Sequence, residues 1–310
     1  MTTAKQTQTD GSAAALFAAA QLGIAMCAET TAATMAEDCT KVDIKLSFRH
    51  AINSEKLITA HAQIKAGPSY KSPSSNSKQL VLKNIDQATI SALSGTGMPG
   101  LLIWVPPPPM DRLYWHAADP RNRIKTPICI KRSQYIRPSL QYDLSRIYDY
   151  ASFSKGHPQL TVKTVEAVNM VSDAKKAYKE LRSMKPRNTL IGGIRVTRLG
   201  WRHVTRRSKS TARRELSLRI VPYLKNFLDK QPERYACNYC GIQVAGEWAT
   251  ETRFLLCWYR KALNIDGKSY TLLIRIKEEI RYPVKWRNWP LSKDKIRQEA
   301  SLASWWCKQE

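Results

Sequence analysis

Acidic side chains are scarce in this chain of 310 residues: 25 Asp and Glu stand against 50 Lys and Arg, and the formal net charge is +25. The excess is concentrated in residues 151–310, which hold 33 basic and 14 acidic side chains. A charge of this size costs self-repulsion unless an anionic partner is present. Nucleic acid is the usual partner, because a polycationic surface binds phosphates by releasing their counterions. A membrane surface, an acidic protein and a merely solvated basic surface are the alternatives.

Long apolar runs are also missing. The Ala-rich stretch 13–28 is too short and too weakly hydrophobic to span a membrane. The residues before it include Asp10 and only one basic residue, Lys5, which is a poor leader for a signal peptide. We therefore expect a buried helix at 13–28 and no membrane partner.

The cysteines argue against a disulfide framework, because they are seven in number and irregularly spaced. In a chain of this length they indicate reduced thiols and a cytoplasmic protein. Cys237 and Cys240 form a single CxxC pair, to which Cys257 could add a third ligand, but a fourth Cys or His at zinc-site spacing is lacking. Cysteines that simply lie on strands are the simpler interpretation, and zinc binding stays open.

The first part of the chain predicts an α/β domain with a mixed sheet over 11–150, after a disordered polar leader over 1–10. The hydrophobic pattern changes between helical and strand periods in the order helix, strand, strand, helix, strand, strand. The expected elements are a helix at 13–28, strands at 43–48 and 57–65, a helix at 82–93, and strands at 101–105, 113–117 and 128–131.

The second part predicts a helical linker over 151–187, a basic α+β domain with an antiparallel sheet over 188–290, and a tail rich in Trp and Lys over 291–310. Residues 264–268 have the composition of a hairpin turn. The other expected elements are helices at 160–184 and 216–228, the latter bent at Pro222, and strands at 190–197, 235–244, 254–263 and 270–280. We expect the tail tryptophans to close the core or an oligomer interface; base stacking is the alternative.

Three polar residues on neighbouring predicted strands form a hydrolytic pattern. Asp43 begins one strand, and Gln63 and Lys65 lie on one face of the next, because strand side chains alternate. A carboxylate and an amide oxygen are suitable ligands for Mg²⁺ or Mn²⁺. Such an ion polarises a scissile phosphate and acidifies water, while the lysine orients the water or offsets charge in the transition state. The pattern alone is common, and its position after a helix and on two strands gives it weight.

Residues 11–150 resemble the PD-(D/E)xK, restriction-endonuclease-like superfamily, and look closest to a bacterial branch with Asp-x-Gly-x-Asp, Gln-x-Lys and Tyr-Trp elements. The matching segments are 38–43, 63–65, 114–115 and the apolar run into prolines at 101–109. The resemblance implies that Asp43 binds the metal, that Gln63 is the second ligand and that Lys65 is the catalytic lysine. It also implies hydrolysis of DNA, in a setting such as bacterial defence or mobile-element conflict. A DNA-binding relative without activity is the alternative.

A basic run around His203 forms a second pattern. His203 is the side chain of the run that can transfer a proton near neutral pH, and Arg forks and a Trp ring suit phosphates and bases. The residues expected to bind nucleic acid are Arg198, Trp201, Arg202, Arg206, Arg207, Lys209, Arg213 and Arg214.

The order strand, His-x-x-Arg-Arg, helix and three strands over 188–285 resembles the barnase, EndoU, colicin and RelE-like ribonuclease fold. The resemblance implies metal-free RNA cleavage by His203, Arg206 and Arg207, although no His follows His203. A phosphate-binding arm is the alternative. The sequence thus predicts a Mg²⁺- or Mn²⁺-dependent nuclease that acts on DNA, or else on RNA. The other hypotheses are a metal-free ribonuclease and a non-catalytic sensor or adaptor. Besides nucleic acid, the possible partners are a second copy of the chain or another protein.

Overall fold

The computed structural model describes residues 4–33, 42–95, 100–118, 127–151, 162–163, 169–206, 210–288 and 291–310. The chain divides into two units, each built from two segments. Unit 1 consists of Met1–Phe153 and Pro283–Ile296, and unit 2 consists of Ser154–Tyr282 and Arg297–Glu310. Among the described residues, no helix is long and apolar enough to cross a membrane.

Unit 1 is an α/β unit. Its helices and strands in chain order are α1 (Ala4–Met26), β1 (Glu29–Ala32), β2 (Ile44–Arg49), β3 (Leu57–Ala66), β4 (Gln79–Leu82), α2 (Gln87–Gly95), β5 (Gly100–Val105), β6 (Tyr114–Ala118), β7 (Ile128–Lys131) and α3 (Leu140–Ala151). The main sheet has the strand order β1-β2-β3-β5-β6, and a short second sheet pairs β4 with β7. Because β3 and β5 are parallel and the other neighbours in the main sheet are antiparallel, the expected mixed sheet is confirmed.

Helix α1 buries one stripe of mostly small residues against β1, β2, β3 and β5. The stripe consists of Ala14, Ala18, Leu22 and Ala25, which recur every three or four residues and so lie on one helix face. The helix begins at Ala4, so it includes residues 4–10, for which the sequence predicts a disordered leader. Lys5, Gln6 and Gln8 are good helix formers and extend the apolar helix.

Helix α2 packs against β3, β5 and β6, and the β4–β7 sheet joins it in one apolar cluster. The buried members of this cluster are Leu80, Leu82, Leu93, Leu102, Trp104, Tyr114, Ala118, Ile128 and Ile130. The helix expected at 82–93 begins only at Gln87, because Leu82 belongs to β4. Asp86 fixes this start, since its Oδ1 accepts a hydrogen bond from the Thr89 N–H at 2.6 Å.

Unit 2 is built around a larger sheet. Its helices and strands in chain order are β8 (Val162–Lys163), α4 (Met170–Met184), β9 (Arg187–Asn188), β10 (Gly192–Arg195), α5 (Arg198–Val204), α6 (Thr211–Arg219), α7 (Leu224–Leu228), β11 (Arg234–Ala245), β12 (Trp248–Ile265), β13 (Lys268–Pro283) and β14 (Arg297–Gln309). The strand order is β11-β12-β13-β14-β10-β9, and β8 pairs with β12.

The expected antiparallel sheet is wrong for unit 2, because β10 pairs with β14 in parallel and so does β8 with β12. The predicted tail accounts for the first pairing. Residues 297–309 form an inner strand of the sheet between β13 and β10, and Trp305 in this strand is fully buried. Trp305 therefore helps to close the core, which is one of the two roles expected for the tail tryptophans.

Local sequence signals account for several further features of unit 2. The two-residue turn between β12 and β13 has positive φ at Asp266 (51°) and Gly267 (75°), so the predicted hairpin turn is confirmed. Pro222 lacks an N–H, and the expected helix 216–228 is correspondingly divided into α6, a 3-10 turn and α7. The helix expected at 160–184 begins at Met170. Between residues 152 and 168, only residues 162–163 are described, and they form β8.

Candidate functional site

Asp43 and Gln63 meet where β2 begins and β3 nears its end. Asp43 lies one residue before β2, and its backbone N–H donates to the Ala62 carbonyl at 2.9 Å. Its carboxylate Oδ2 accepts two hydrogen bonds at 2.6 Å, one from Nε2 of Gln63 and one from the Ile64 N–H. The strand pairing therefore holds the carboxylate in one orientation beside the amide.

The other end of the Gln63 amide has no hydrogen-bond partner within the described part of the chain. The side chain is buried, with 5% exposure, and Oε1 is inaccessible to solvent. A buried carbonyl oxygen without a partner costs about 1–3 kcal/mol. An amide oxygen is also one of the groups that bind hard cations such as Mg²⁺.

A cavity of about 910 Å³ lies beside this pair. Asp43 and Gln63 line it together with residues 11–15 of α1, the turn at 66–70 and the segment 105–108. The volume lies in the range of small-molecule and cofactor sites, about 300–1,000 Å³. The buried amide and the carboxylate thus lie at the wall of a space large enough for a nucleotide-sized group.

Lys65 lies two residues after Gln63 on β3 and is half-buried. Its Nζ lies 5.7 Å from the centre of the Tyr70 ring, and Tyr70 lines the cavity whereas Lys65 does not. Lys65 makes no ion pair with any described residue. A cation–π contact at an accessible position stabilises by only about 0.5–1 kcal/mol, so the ammonium can turn toward a bound anion at little cost.

The oxygen atoms of Asp43 and Gln63 fit a hard divalent cation. Mg²⁺ keeps several waters and takes only one or two carboxylates from the protein, with further oxygens from phosphate. The unsatisfied Oε1 of Gln63 is the observation that favours this interpretation. In the described ranges, no group of three or more His, Cys, Asp or Glu side chains is placed to hold a metal ion. Residues 38–41 of the predicted motif lie outside the described residues.

His116 was given no role by the sequence. It lies on β6 opposite Leu102 of β5, which in turn lies opposite Gln63 of β3. The three side chains therefore form a row across one face of the sheet. Burial lowers the pKa of His116, so its imidazole is neutral at pH 7. Sheet register, which the sequence alone does not give, is the information that places it there.

Residues 198–204 of the basic run around His203 form helix α5. Thr197 caps α5, since its side chain accepts from the Leu199 N–H. Arg198, Trp201 and Arg202 share one face of α5 and line a groove of about 580 Å³. His203 is half-buried and is not among the residues that line this groove.

The other predicted nucleic-acid ligands are not brought into the groove. Arg206 is exposed after α5, and Arg213 and Arg214 lie on α6. Arg207 and Lys209 lie outside the described residues. The opposite wall of the groove is α4, whose basic residues are not among the predicted nucleic-acid ligands. The signal was available: basic residues at 175, 176, 179 and 182 recur at helical spacing.

The cysteines of unit 2 do not gather into a ligand set. Cys257 is buried and lies opposite Tyr235, while Cys237 lies opposite Leu255. Cys240 is exposed at a β-bulge of β11. None of the six cysteines in the described part of the chain forms a disulfide. The structure thus leaves the zinc interpretation without support from geometry.

Comparison of the chain with protein-family models, with curated proteins and with solved structures gives no match.

Proposed function

We propose that this protein is a metal-dependent nuclease that hydrolyses phosphodiester bonds, with its site at Asp43, Gln63 and Lys65. One observation carries the proposal. A half-buried carboxylate is hydrogen-bonded to a buried amide at the wall of a large cavity, and the amide oxygen has no hydrogen-bond partner among the described residues. DNA is the favoured substrate, because the resemblance to PD-(D/E)xK nucleases concerns DNA-cleaving enzymes.

Each residue has a distinct role in the proposed site. Asp43 and Gln63 hold Mg²⁺ or Mn²⁺ through oxygen atoms, and the Ile64 N–H keeps the Asp43 carboxylate oriented. When bound, the ion supplies polarisation of the scissile phosphate and acidification of a water. Lys65 turns from the Tyr70 ring toward the phosphate, where its charge offsets the negative charge that develops in the transition state.

The fold around the site supports the same proposal. A helix, a strand pair, a second helix and a buried strand follow one another, and the buried strand β5 is parallel to β3. This is the context in which the motif of Asp43, Gln63 and Lys65 gains weight. Strand β5 continues into prolines 106–108, which form part of the cavity wall. The segment that resembles the superfamily therefore contributes both the ligands and the cavity.

The test is a cleavage assay on the full chain with duplex DNA, single-stranded DNA and RNA, each in Mg²⁺, Mn²⁺ or EDTA. We expect cleavage with either metal and none in EDTA. Lys65→Ala should lower the rate by about 10²–10³-fold, the usual effect of removing one group that stabilises transition-state charge. Lys131→Ala, an exposed lysine on β7 of the same unit, is the matched control and should leave the rate unchanged.

Two outcomes contradict the proposal. Cleavage that persists in EDTA and disappears in His203→Ala would assign the chemistry to the metal-free ribonuclease hypothesis. Tight, salt-sensitive binding without cleavage of any substrate in either metal would identify a non-catalytic nucleic-acid-binding protein.

A further inference from the structure

The groove between α4 and α5 in unit 2 is strongly basic. Its polar walls carry six cations and one serine. The cations are Lys175, Lys176, Lys179, Arg182, Arg198 and Arg202. None of the six forms an ion pair with a described residue. The acids of α4, Asp173 and Glu180, are not among the residues that line the groove. Six uncompensated like charges around one space repel each other, and an anionic ligand relieves that repulsion.

The α4 wall is a continuous stripe. Residues 172, 175, 176, 179 and 182 recur at the spacing of one helix face. The four cations of this wall lie between residues 175 and 182 and extend over about 10 Å of helix, at about 1.5 Å per residue. That length exceeds the size of one phosphate group, so several phosphates of one strand can lie along it. The wall therefore suits a polyphosphate chain better than a single phosphate group.

The bottom of the groove is held by close packing. The Tyr178 hydroxyl donates to the Thr197 carbonyl at 2.7 Å. The Tyr178 ring lies 5.3 Å from Trp201 and 5.8 Å from Trp305 between ring centres. A Cβ on Gly200 would lie 2.6 Å from the Tyr178 hydroxyl, so glycine permits the close approach of α5. These contacts fix the two walls relative to each other before any ligand binds.

We propose that this groove binds the backbone of single-stranded nucleic acid, with one base stacked against Trp201. Arg198 and Arg202 on α5 offer planar forks for phosphate oxygens. Trp201 is half-buried on the same wall and presents an aromatic surface. In a duplex the faces of the bases are already stacked on each other, whereas a single strand exposes them to aromatic side chains. An anionic membrane surface would supply negative charge but no nucleobase to stack against Trp201.

The test measures binding of a fluorescent oligothymidylate of about 12 nucleotides, a length within the usual site sizes. The full chain is used in EDTA, where metal-dependent cleavage does not occur, so failure here and failure of the proposed hydrolysis are separate results. The double variant Lys175→Gln/Lys179→Gln removes two charges and keeps good helix formers. Lys230→Gln/Arg260→Gln, both exposed in unit 2 and outside the groove, is the matched control.

We expect the groove variant to bind about tenfold more weakly at moderate salt and the control to bind like wild type. The negative slope of log affinity against log salt should become less steep by about 1.4, since each phosphate contact on a single strand contributes about −0.7. An abasic oligomer of equal length should also bind about tenfold more weakly, because one stacked base is lost. A duplex of equal length should bind more weakly than the single strand.

The proposal is overturned if the control pair loses as much affinity as the groove pair. It is equally overturned if the abasic oligomer binds as well as the oligothymidylate, or if a duplex or vesicles of anionic lipid bind more tightly.

Discussion

The amide of Gln63 is engaged at one end only. Nε2 donates to the Asp43 carboxylate, and Oε1 is buried without a hydrogen-bond partner among the described residues. A glutamate at this position would bring a second carboxylate to hydrogen-bond distance of the first, and the two charges would repel each other without a cation between them. Glutamine therefore lets the site stay folded without metal while it keeps one oxygen for an ion.

Gln63→Glu tests this interpretation through stability. In EDTA we expect the variant to lose about 1–3 kcal/mol of unfolding free energy, because an acceptor replaces the donor that satisfies Asp43. Addition of Mn²⁺ should restore more stability to the variant than to wild type, since two carboxylates bind the ion more tightly than one. Urea unfolding with and without Mn²⁺ measures both effects.

Gln79→Glu, on β4 of the same unit, is the control for a change of charge alone and should show no response to Mn²⁺. If Gln63→Glu is destabilised equally with and without Mn²⁺, Gln63 does not face a cation site.

The sequence predicted part of this site. Period two placed Gln63 and Lys65 on one strand face, and strand pairing placed Asp43 beside them. The position of Lys65 over Tyr70 could not be predicted, because Tyr70 belongs to a 3-10 turn in a segment that reads only as loop. The unsatisfied Oε1 depends on the packing around it and has no local signal at all.

At the scale of elements, hydrogen bonds and an ion pair connect α3 to the segment between β2 and β3. The fully buried His50 donates from Nε2 to Asp149 Oδ2 at 2.8 Å. Its Nδ1 accepts from the N–H groups of Ile52 and Asn53, at 3.1 and 3.0 Å. Lys56 Nζ lies 3.2 Å from the other Asp149 oxygen. One carboxylate thus joins a helix to the hairpin that carries Asp43 and Gln63.

Asp149→Asn should destabilise unit 1 in a pH-dependent way. Burial of the Asp149 carboxyl opposes ionisation, but the hydrogen bonds from His50 and Lys56 and the charge of Lys56 outweigh it and hold the pKa below its ordinary 3.8. Ionised Asp149 therefore stabilises the fold above the unfolded pKa, about 3.9, and this contribution is lost as pH falls through the lower folded pKa. We expect a deficit of about 2 kcal/mol near neutral pH that shrinks below pH of about 4.

Urea unfolding between neutral and acidic pH measures this deficit. Asp111→Asn, an exposed carboxylate of the same unit, is the control and should follow wild type throughout. A deficit that stays constant down to pH of about 3 would show that His50 and Lys56 do not stabilise an ionised carboxylate.

Helix α3 itself was not predicted. Its residues lie at the end of the stretch assigned to the first domain, and its partner His50 lies 99 residues from Asp149 in sequence. Strands β2, β3 and β5 were predicted nearly to their ends, because alternating or continuous apolar patterns mark them directly. Contacts between distant segments decide where a helix such as α3 docks, and local pattern does not contain them.

At the scale of the whole molecule, the chain crosses between units three times, after residues 153, 282 and 296. Residues 283–296 belong to unit 1, where Lys293 donates to the His50 carbonyl at 3.0 Å and the Leu291 carbonyl accepts from the Cys27 thiol at 3.0 Å. Residues 297–310 then return to unit 2 as β14. The sequence predicted a contiguous second domain followed by a tail. The hydrophobic pattern of a segment indicates a strand but does not show which sheet the strand joins.

Most of the charge excess of residues 151–310 lies in unit 2, whereas the proposed hydrolytic site lies in unit 1. The cations of the α4–α5 groove lie in unit 2, whereas Asp43, Gln63 and Lys65 lie in unit 1. Charge alone therefore argues for binding of nucleic acid, and only the geometry around Asp43 argues for its hydrolysis. We propose that the residues around Asp43 form a divalent-cation site.

The most direct test is a Mn²⁺ titration followed by electron paramagnetic resonance, which reports free Mn²⁺ and needs no substrate. We predict that wild type binds Mn²⁺, that Mg²⁺ competes for the site, and that Asp43→Asn weakens binding by at least about tenfold. Asp111→Asn should bind like wild type. Equal binding by wild type and Asp43→Asn, or no binding by wild type, would contradict the account.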